Sequence, residues 1–137
     1  MKNNSKPILL VEDDRVDVMT ILRVLKEINV VNPVVNMEHG EAALDYLRDP
    51  ASVRPCIILL DLNMPIMNGI EFLQLVKQDP ALRSIPVIVL TTSEEQQDKL
   101  RSFDLGVAGY MAKPVDYRRF VEIMRSIDLY WTLSEMP

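Results

Sequence analysis

A doubly wound α/β fold built on a parallel sheet is predicted by three features of the chain. Strand-like and helix-like segments alternate five times over 137 residues, the pattern of βα units joined by right-handed crossovers. The firmest strand-like runs, Ile8-Leu9-Leu10-Val11, Cys56-Ile57-Ile58-Leu59-Leu60 and Val87-Ile88-Val89-Leu90, show no polar alternation, as expected of strands covered by helices on both faces. Each run then stops at polar side chains. The carboxyl edge of an open parallel sheet is where ligands bind, so those side chains are the first candidates for function.

The elements follow in order. The first apolar run ends in Glu12, Asp13 and Asp14. Asp14 is placed to cap a helix in which Val18, Ile21, Leu22, Leu25 and Ile28 recur at helical spacing, with Asp17, Arg23, Lys26 and Glu27 on its other faces. Val30 to Met37 reads as a weaker strand interrupted by Asn32 and Pro33. His39-Gly40 turns the chain into a short helix over Glu41 to Leu47, with Ala43, Leu44 and Leu47 as its buried stripe. Arg48 to Pro55, with two prolines and mixed charge, is a loop. After the run that ends in Asp61, Asn68-Gly69 opens a helix with Phe72, Leu73 and Val76 facing inward, and Pro80 stops it.

Ile85-Pro86 precedes the fourth strand, which ends in Thr91, Thr92 and Ser93. Glu94 to Asp104 is helical in pattern but anchored only by Leu100 and Phe103, so it should shift at low cost. Gly106 to Ala112 forms a short last strand that runs directly into Lys113-Pro114. A final helix from about Val115 sets Phe120, Ile123, Met124, Ile127 and Trp131 on one stripe. Trp131 suits either the core or an exposed interface.

Composition narrows the function classes. Hydrophobic residues at 48% and charged residues at 26% belong to a globular domain and not to a disordered chain. The length suits one domain, 1–137, with a core over about 7–128 and a helical extension to about 133. A net charge of −5 without a Lys/Arg cluster offers nothing to nucleic acid or an anionic membrane. The N-terminus lacks the apolar core of a signal peptide and no long apolar span follows. The single Cys56 lies in an apolar run as a small buried hydrophobe, which excludes a disulfide framework. A cytoplasmic location is expected.

A parallel sheet brings four strand ends together: Glu12 and Asp13, Asp61, Thr91, and Lys113. Singly these residues have plainer uses, as helix-start acids, a turn cap, a strand-end hydroxyl and a surface cation. Together, three carboxylates at one edge resist full ionisation unless a cation neutralises them, and Lys113 offsets one charge. Mg2+, a hard ion taking oxygen ligands, is the natural complement, and the backbone carbonyl of Asn63 offers another oxygen. A carboxylate beside Mg2+, a hydroxyl and a lysine suits capture of a phosphoryl group, with Asp61 as nucleophile, Lys113 and Mg2+ facing the equatorial oxygens, and the Thr91 hydroxyl hydrogen-bonding one of them.

In these motifs the chain resembles the receiver domain of two-component response regulators over nearly its whole length. The resemblance rests on Glu12-Asp13, on Asp61 within Leu-Leu-Asp-Leu-Asn-Met-Pro, and on Gly69, Thr91, Tyr110 and Lys113-Pro114 in that order. It implies a flavodoxin-like sheet of five strands in the order 2-1-3-4-5 with five helices. It also implies phosphorylation of Asp61 by a histidine kinase, with Mg2+ held by Glu12, Asp13, Asp61 and the Asn63 carbonyl. Glu12 departs from the commoner Asp, which leaves direct or water-mediated contact with the metal open.

By the same resemblance Thr91 moves toward the phosphoryl group, Tyr110 swings inward behind it, the Lys113–Pro114 peptide is cis, and Asn63 and Ser93 tune dephosphorylation. The resemblance implies a signalling phosphoacceptor that promotes only its own phosphorylation and dephosphorylation, not an enzyme acting on other substrates. The receiver motifs occupy the chain up to its last helix, so a stand-alone regulator with a protein target is expected. Glu12, the Leu90-Thr91-Thr92-Ser93 stretch and the tail Leu129-Tyr130-Trp131 are similar to regulators paired with bacterial phytochrome-type kinases, some of which form homodimers.

Two other readings compete. A haloacid-dehalogenase-type phosphatase also uses an Asp nucleophile, Mg2+, a hydroxyl and a Lys, but Asn63 stands where its second Asp would be and the acidic pair precedes the nucleophile strand. A pseudo-receiver that binds partners without phosphorylation would not need the intact acid, hydroxyl and lysine set. His39, the sole histidine, reads as a turn residue and not as a phosphodonor.

Overall fold

The computed structural model describes residues 6–27, 30–62, 68–91, 104–113 and 118–122. Five strands, β1 (Ile8–Val11), β2 (Val34–Met37), β3 (Ile57–Asp61), β4 (Val87–Thr91) and β5 (Gly109–Ala112), form one sheet in the order β2-β1-β3-β4-β5. Every neighbouring pair is parallel. Among the described residues, helices α1 (Arg15–Glu27), α2 (Gly40–Arg48) and α3 (Gly69–Gln78) lie between successive strands from β1 to β4, and residues 118–122 are also helical. This is the flavodoxin-like arrangement expected from the sequence. The chain reverses its direction of winding between β1 and β3, which leaves a crevice at their carboxyl ends.

The unbroken apolar runs are explained by the two layers. Leu9, Val11, Ile58, Leu60, Val87 and Val89 point to one face, against Ala43 and Leu44 of α2 and Phe72, Leu73 and Val76 of α3. Ile8, Leu10, Ile57, Leu59, Ile88 and Leu90 point to the other, against Val18, Ile21, Val24 and Leu25 of α1 and against Phe120. Successive strand residues alternate faces, so a strand covered on both sides must be apolar throughout. Cys56 belongs to the α1 layer, and burial pushes its thiol up to about 11, as fits an inert core residue.

Several expectations shift in detail. The second strand starts at Val34 and not at Val30. Pro33 has no N–H to give a ladder, and its carbonyl instead accepts from Ile8 N at 2.8 Å, while the Asn32 side chain turns aside to donate to Lys6 O. The fifth strand starts at Gly109. Gly106, at φ 66, sits in the left-handed region that an extended strand does not use.

On α1 the buried stripe contains Val24, and Leu22 is 41% exposed. Val18, Ile21, Val24 and Leu25 make one continuous row at spacings of three and four, with Leu22 at its edge. Leu47 of α2 is half-buried and packs at the margin of its layer. Asn63, Thr92, Ser93, Pro114, the start of the final helix, and Ile28, Ile123, Met124, Ile127 and Trp131 lie outside the described residues, as does the expected helix from Glu94 to Asp104 apart from Asp104 itself, which is a turn residue at φ 49. Among the described residues no helix is long and apolar enough to cross a membrane.

Helix starts are capped as the sequence suggests. Asp14 Oδ1 accepts from Val16 N and Asp17 N at 2.9 and 3.1 Å, and Asn68 caps α3 by accepting from Glu71 N. His39 has a role beyond turning the chain, because its Nδ1 accepts from Ala42 N at 3.1 Å and so caps α2. His39→Ala is expected to lower stability by about 1 kcal/mol through loss of that cap. A fall in the urea midpoint at unchanged slope would show it.

Candidate functional site

Backbone register sets the site before any side chain is considered. Val11 pairs with Leu60, so Glu12, one residue on, lies abreast of Asp61. Asp61 pairs with Leu90, and Thr91 pairs with Ala112. Three further bonds extend the ladder past the strand ends: Glu12 N to Met37 O, Leu62 N to Leu90 O, and Lys113 N to Thr91 O, at 3.0, 3.2 and 2.9 Å. Glu12, Asp13, Asp61, Thr91 and Lys113 are thereby delivered to one edge.

Gly69 closes the floor of this edge. Its N–H donates to Leu62 O at 3.0 Å. A Cβ there would lie 2.6 Å from Leu62 Cα and 2.7 Å from Asp61 O. The start of α3 thus rests directly on the backbone that follows Asp61, and only glycine permits so close an approach.

Glu12, Asp61 and Thr91 are all buried, whereas Asp13 is exposed. Glu12, Asp13 and Asp61 each offer an oxygen within 4.8 Å of the others. Lys113 Nζ lies 2.6 Å from Glu12 Oε1, 2.9 Å from Asp17 Oδ2 and 3.3 Å from Asp61 Oδ1. Burial would push the Lys113 ammonium down, but contact with Glu12 and Asp17 and the charge of Asp61 outweigh it and hold the group well above the usual lysine value. Lys113 is a permanent cation.

Glu12 shifts the opposite way from a simple ion-paired acid. Burial pushes its carboxyl up to about 7, Lys113 counteracts this, and neighbouring Asp61 adds to the rise. One ammonium is too little charge for the acids around it. Glu12 Oε2 accepts from Asp14 N at 3.3 Å, and the fully buried Oε1 faces the Lys113 ammonium at 2.6 Å. A buried carboxylate oxygen whose neighbouring ammonium is shared with Asp17 and Asp61 fits a divalent cation with a preference for oxygen.

All the residues expected from the sequence that are described come to this edge except Tyr110, which lies on β5 half-buried, two strand positions before Ala112, and packs against the α2/α3 layer. Asn63 and Ser93 lie outside the described residues. Asp17 is the residue sequence reasoning missed. Assigned to a polar face of α1, it reaches Lys113 across 96 residues. Its spacing, one helical turn after Asp13 on the helix that leaves the acidic pair, was the available signal.

Residues 8–125 match the family model described as the response regulator receiver domain. The chain belongs to that family. This receiver domain is 37% identical over 133 residues to the response regulator Rcp1 of Synechocystis sp., an alignment covering 94% of this chain and 90% of Rcp1. Among solved structures it is similar to the bacteriophytochrome response regulator AtBRR, at 39% identity and TM-score 0.81 over 90% of this chain and 93% of that one. It is also similar to the phosphorylated cyanobacterial phytochrome response regulator RcpA, at 38% identity and TM-score 0.76 over 96% and 97% of the two chains. Rcp1 itself is known in a Mn(2+)-bound form. The receiver domain therefore works in two-component signalling, where phosphorylation on an aspartate and binding of a divalent metal are family properties. The match sets aside the haloacid-dehalogenase-type phosphatase.

Proposed function

We propose that this receiver domain accepts a phosphoryl group on the Asp61 carboxylate from a sensor histidine kinase, in a reaction that requires Mg2+. The observation that carries this is the buried Asp61, with a permanent ammonium 3.3 Å from Oδ1 and two further acids beside it. A carboxylate oxygen of Asp61 attacks phosphorus, the P–N bond to the donor histidine breaks, and its electron pair returns to the imidazole, giving an acyl phosphate. Glu12, Asp13 and Asp61, joined by the Asn63 carbonyl, would hold Mg2+, which neutralises charge on the transferring group. Lys113 presents N–H donors to the phosphoryl oxygens, and the Thr91 hydroxyl hydrogen-bonds one of them.

The modification brings roughly one to two negative charges and strong acceptor oxygens to the carboxyl edge. Thr91 closes on them, Tyr110 turns inward on β5, and the altered surface engages a downstream protein. Asn63 and Ser93 set how readily water removes the group. The similarity to the bacteriophytochrome response regulator AtBRR and the cyanobacterial phytochrome response regulator RcpA supports a phytochrome-type kinase as donor, and the reading of the sequence adds a homodimer as one assembly, no nucleic acid or membrane partner, and a cytoplasmic setting.

The test is intact-protein mass spectrometry after incubation with Mg2+ and acetyl phosphate, beside Asp61→Asn. The native chain should gain one Mg2+-dependent phosphoryl group and the variant none. If neither gains it while Mg2+ binding is independently established, the domain is a pseudo-receiver that binds partners without phosphorylation.

A further inference from the structure

We propose that Asp17 is a positioning residue for Lys113, anchoring its ammonium from the α1 side so that it stays aimed at Asp61 when the other acids are engaged elsewhere. The proposal rests on the phosphoacceptor reading above and names a residue that reading does not use. Among the described residues three carboxylates surround Lys113 Nζ, and they are not equivalent. Contact with Asp17 Oδ2 at 2.9 Å has hydrogen-bond geometry, and Glu12 Oε1 is nearer still, at 2.6 Å. Asp61 is the most distant, at 3.3 Å.

The three also differ in their other duties. Glu12 and Asp61 belong with Asp13 to the set of acids close enough to share a cation, and Asp17 does not. Any oxygen of Glu12 or Asp61 that binds a divalent cation shares its charge between that cation and the ammonium, so its hold on Lys113 weakens. Asp17 can keep its bond, and the remaining two N–H donors of the ammonium then point to the Asp61 side.

Asp17 is also well built as a fixed point. Its own N–H is held by the Asp14 cap at 3.1 Å. It lies in the first turn of α1, where the helix dipole favours a carboxylate. Its side chain is 25% exposed, against 0% for Glu12, so its charge is cheaper to maintain. Without it, Lys113 has no ion-pair partner outside the cation set among the described residues, and its flexible four-carbon stem samples other rotamers.

The experiment compares native protein, Asp17→Ala and Asp17→Asn by three readouts: Mg2+ affinity by calorimetry, phosphorylation rate with acetyl phosphate at saturating Mg2+, and the 15Nζ ammonium resonance of Lys113 with Mg2+ bound. An ammonium resonance persists only where hydrogen bonds slow proton exchange. Asp17→Ala should bind Mg2+ within about threefold of native yet phosphorylate about tenfold more slowly, because a displaced catalytic group costs rate. It should also lose the Lys113 resonance. Asp17→Asn keeps an acceptor oxygen at the same reach and should recover most of the rate and the signal.

An unchanged or faster rate with the Lys113 resonance intact in Asp17→Ala overturns the proposal. So does a fall in Mg2+ affinity well beyond threefold, which would make Asp17 part of the cation set. If the native protein itself takes up no phosphoryl group, the phosphoacceptor reading fails, and the ammonium resonance alone decides whether Asp17 anchors Lys113.

Discussion

Replacing Gly69 with alanine is expected to destabilise the domain by about 3 kcal/mol, the upper end of the usual cost of overpacking a rigid contact. In an ordinary helix the same change stabilises by up to about 1 kcal/mol, because alanine is the better helix former. Here the added methyl would lie 2.6 Å from Leu62 Cα, 2.7 Å from Asp61 O and 2.9 Å from Leu62 Cδ2. Two of those three atoms are backbone and cannot rotate away. Relief requires α3 to lift from the sheet, and the same helix carries Phe72, Leu73 and Val76 into the core. The Asp61 carbonyl would be pushed as well, so phosphorylation should slow along with the loss of stability. Urea unfolding gives the first quantity and the acetyl phosphate reaction the second. Unchanged stability would mean that α3 repacks freely, and the floor described for the site would be wrong.

The sheet was legible in the sequence where burial is symmetrical. β1, β3 and β4 are covered on both faces, so their apolar runs have sharp ends, and Asp61 and Thr91 mark those ends to the residue. The edge strands are different. β2 and β5 are covered less completely, and their bounds depend on where Pro33 and Gly106 break the ladder, which hydrophobicity does not report. The α1 stripe was misplaced at Leu22 and Val24 for a related reason. Both are apolar at helical spacing, and the position of the sheet decides which one is covered.

The site was legible as a list of residue types at strand ends, because register carries each to one edge. Its electrostatics were less so. Asp17 sits on a helix face that looks like solvent in a helical projection, and only the direction of the Lys113 stem turns it into a partner. Gly69 entered through the motif, whereas its physical cause, the approach of α3 to Leu62, needs coordinates. Asp17 and Lys113 lie 96 residues apart, and Gly69 meets Leu62 through the way α3 settles on the sheet; sequence periodicity carries information on neither.

Lys113→Met should produce a loss of stability that depends on pH in a direction fixed by Glu12. Methionine keeps much of the stem's volume but removes the cation among Glu12, Asp17 and Asp61. Deleting one partner of a buried charge cluster typically costs about 3–5 kcal/mol, and that is the expectation near pH 8 in the absence of metal. In the native protein Glu12 already titrates at about 7, above its ordinary 4.5, chiefly because it is buried. An acid with a raised folded value contributes stability that is complete below its unfolded value and disappears as pH rises through the folded one. For Glu12 that window runs from about 4.5 to 7, and the difference is worth on the order of 3 kcal/mol.

Without Lys113 the counteracting charge is gone, the Glu12 value rises further, and the window extends upward. At pH 5 a protonated Glu12 no longer needs the ammonium, so the variant should lie closer to native there, short of it by the part due to Asp17 and Asp61. Mg2+ at pH 8 should recover part of the loss, because the acids then have another neutralising charge. Urea unfolding at pH 5 and pH 8, with and without Mg2+, separates these contributions. A larger deficit at pH 5 than at pH 8 would mean that Lys113 stabilises the fold through packing of its stem, and that the surplus negative charge of this edge is not what limits it.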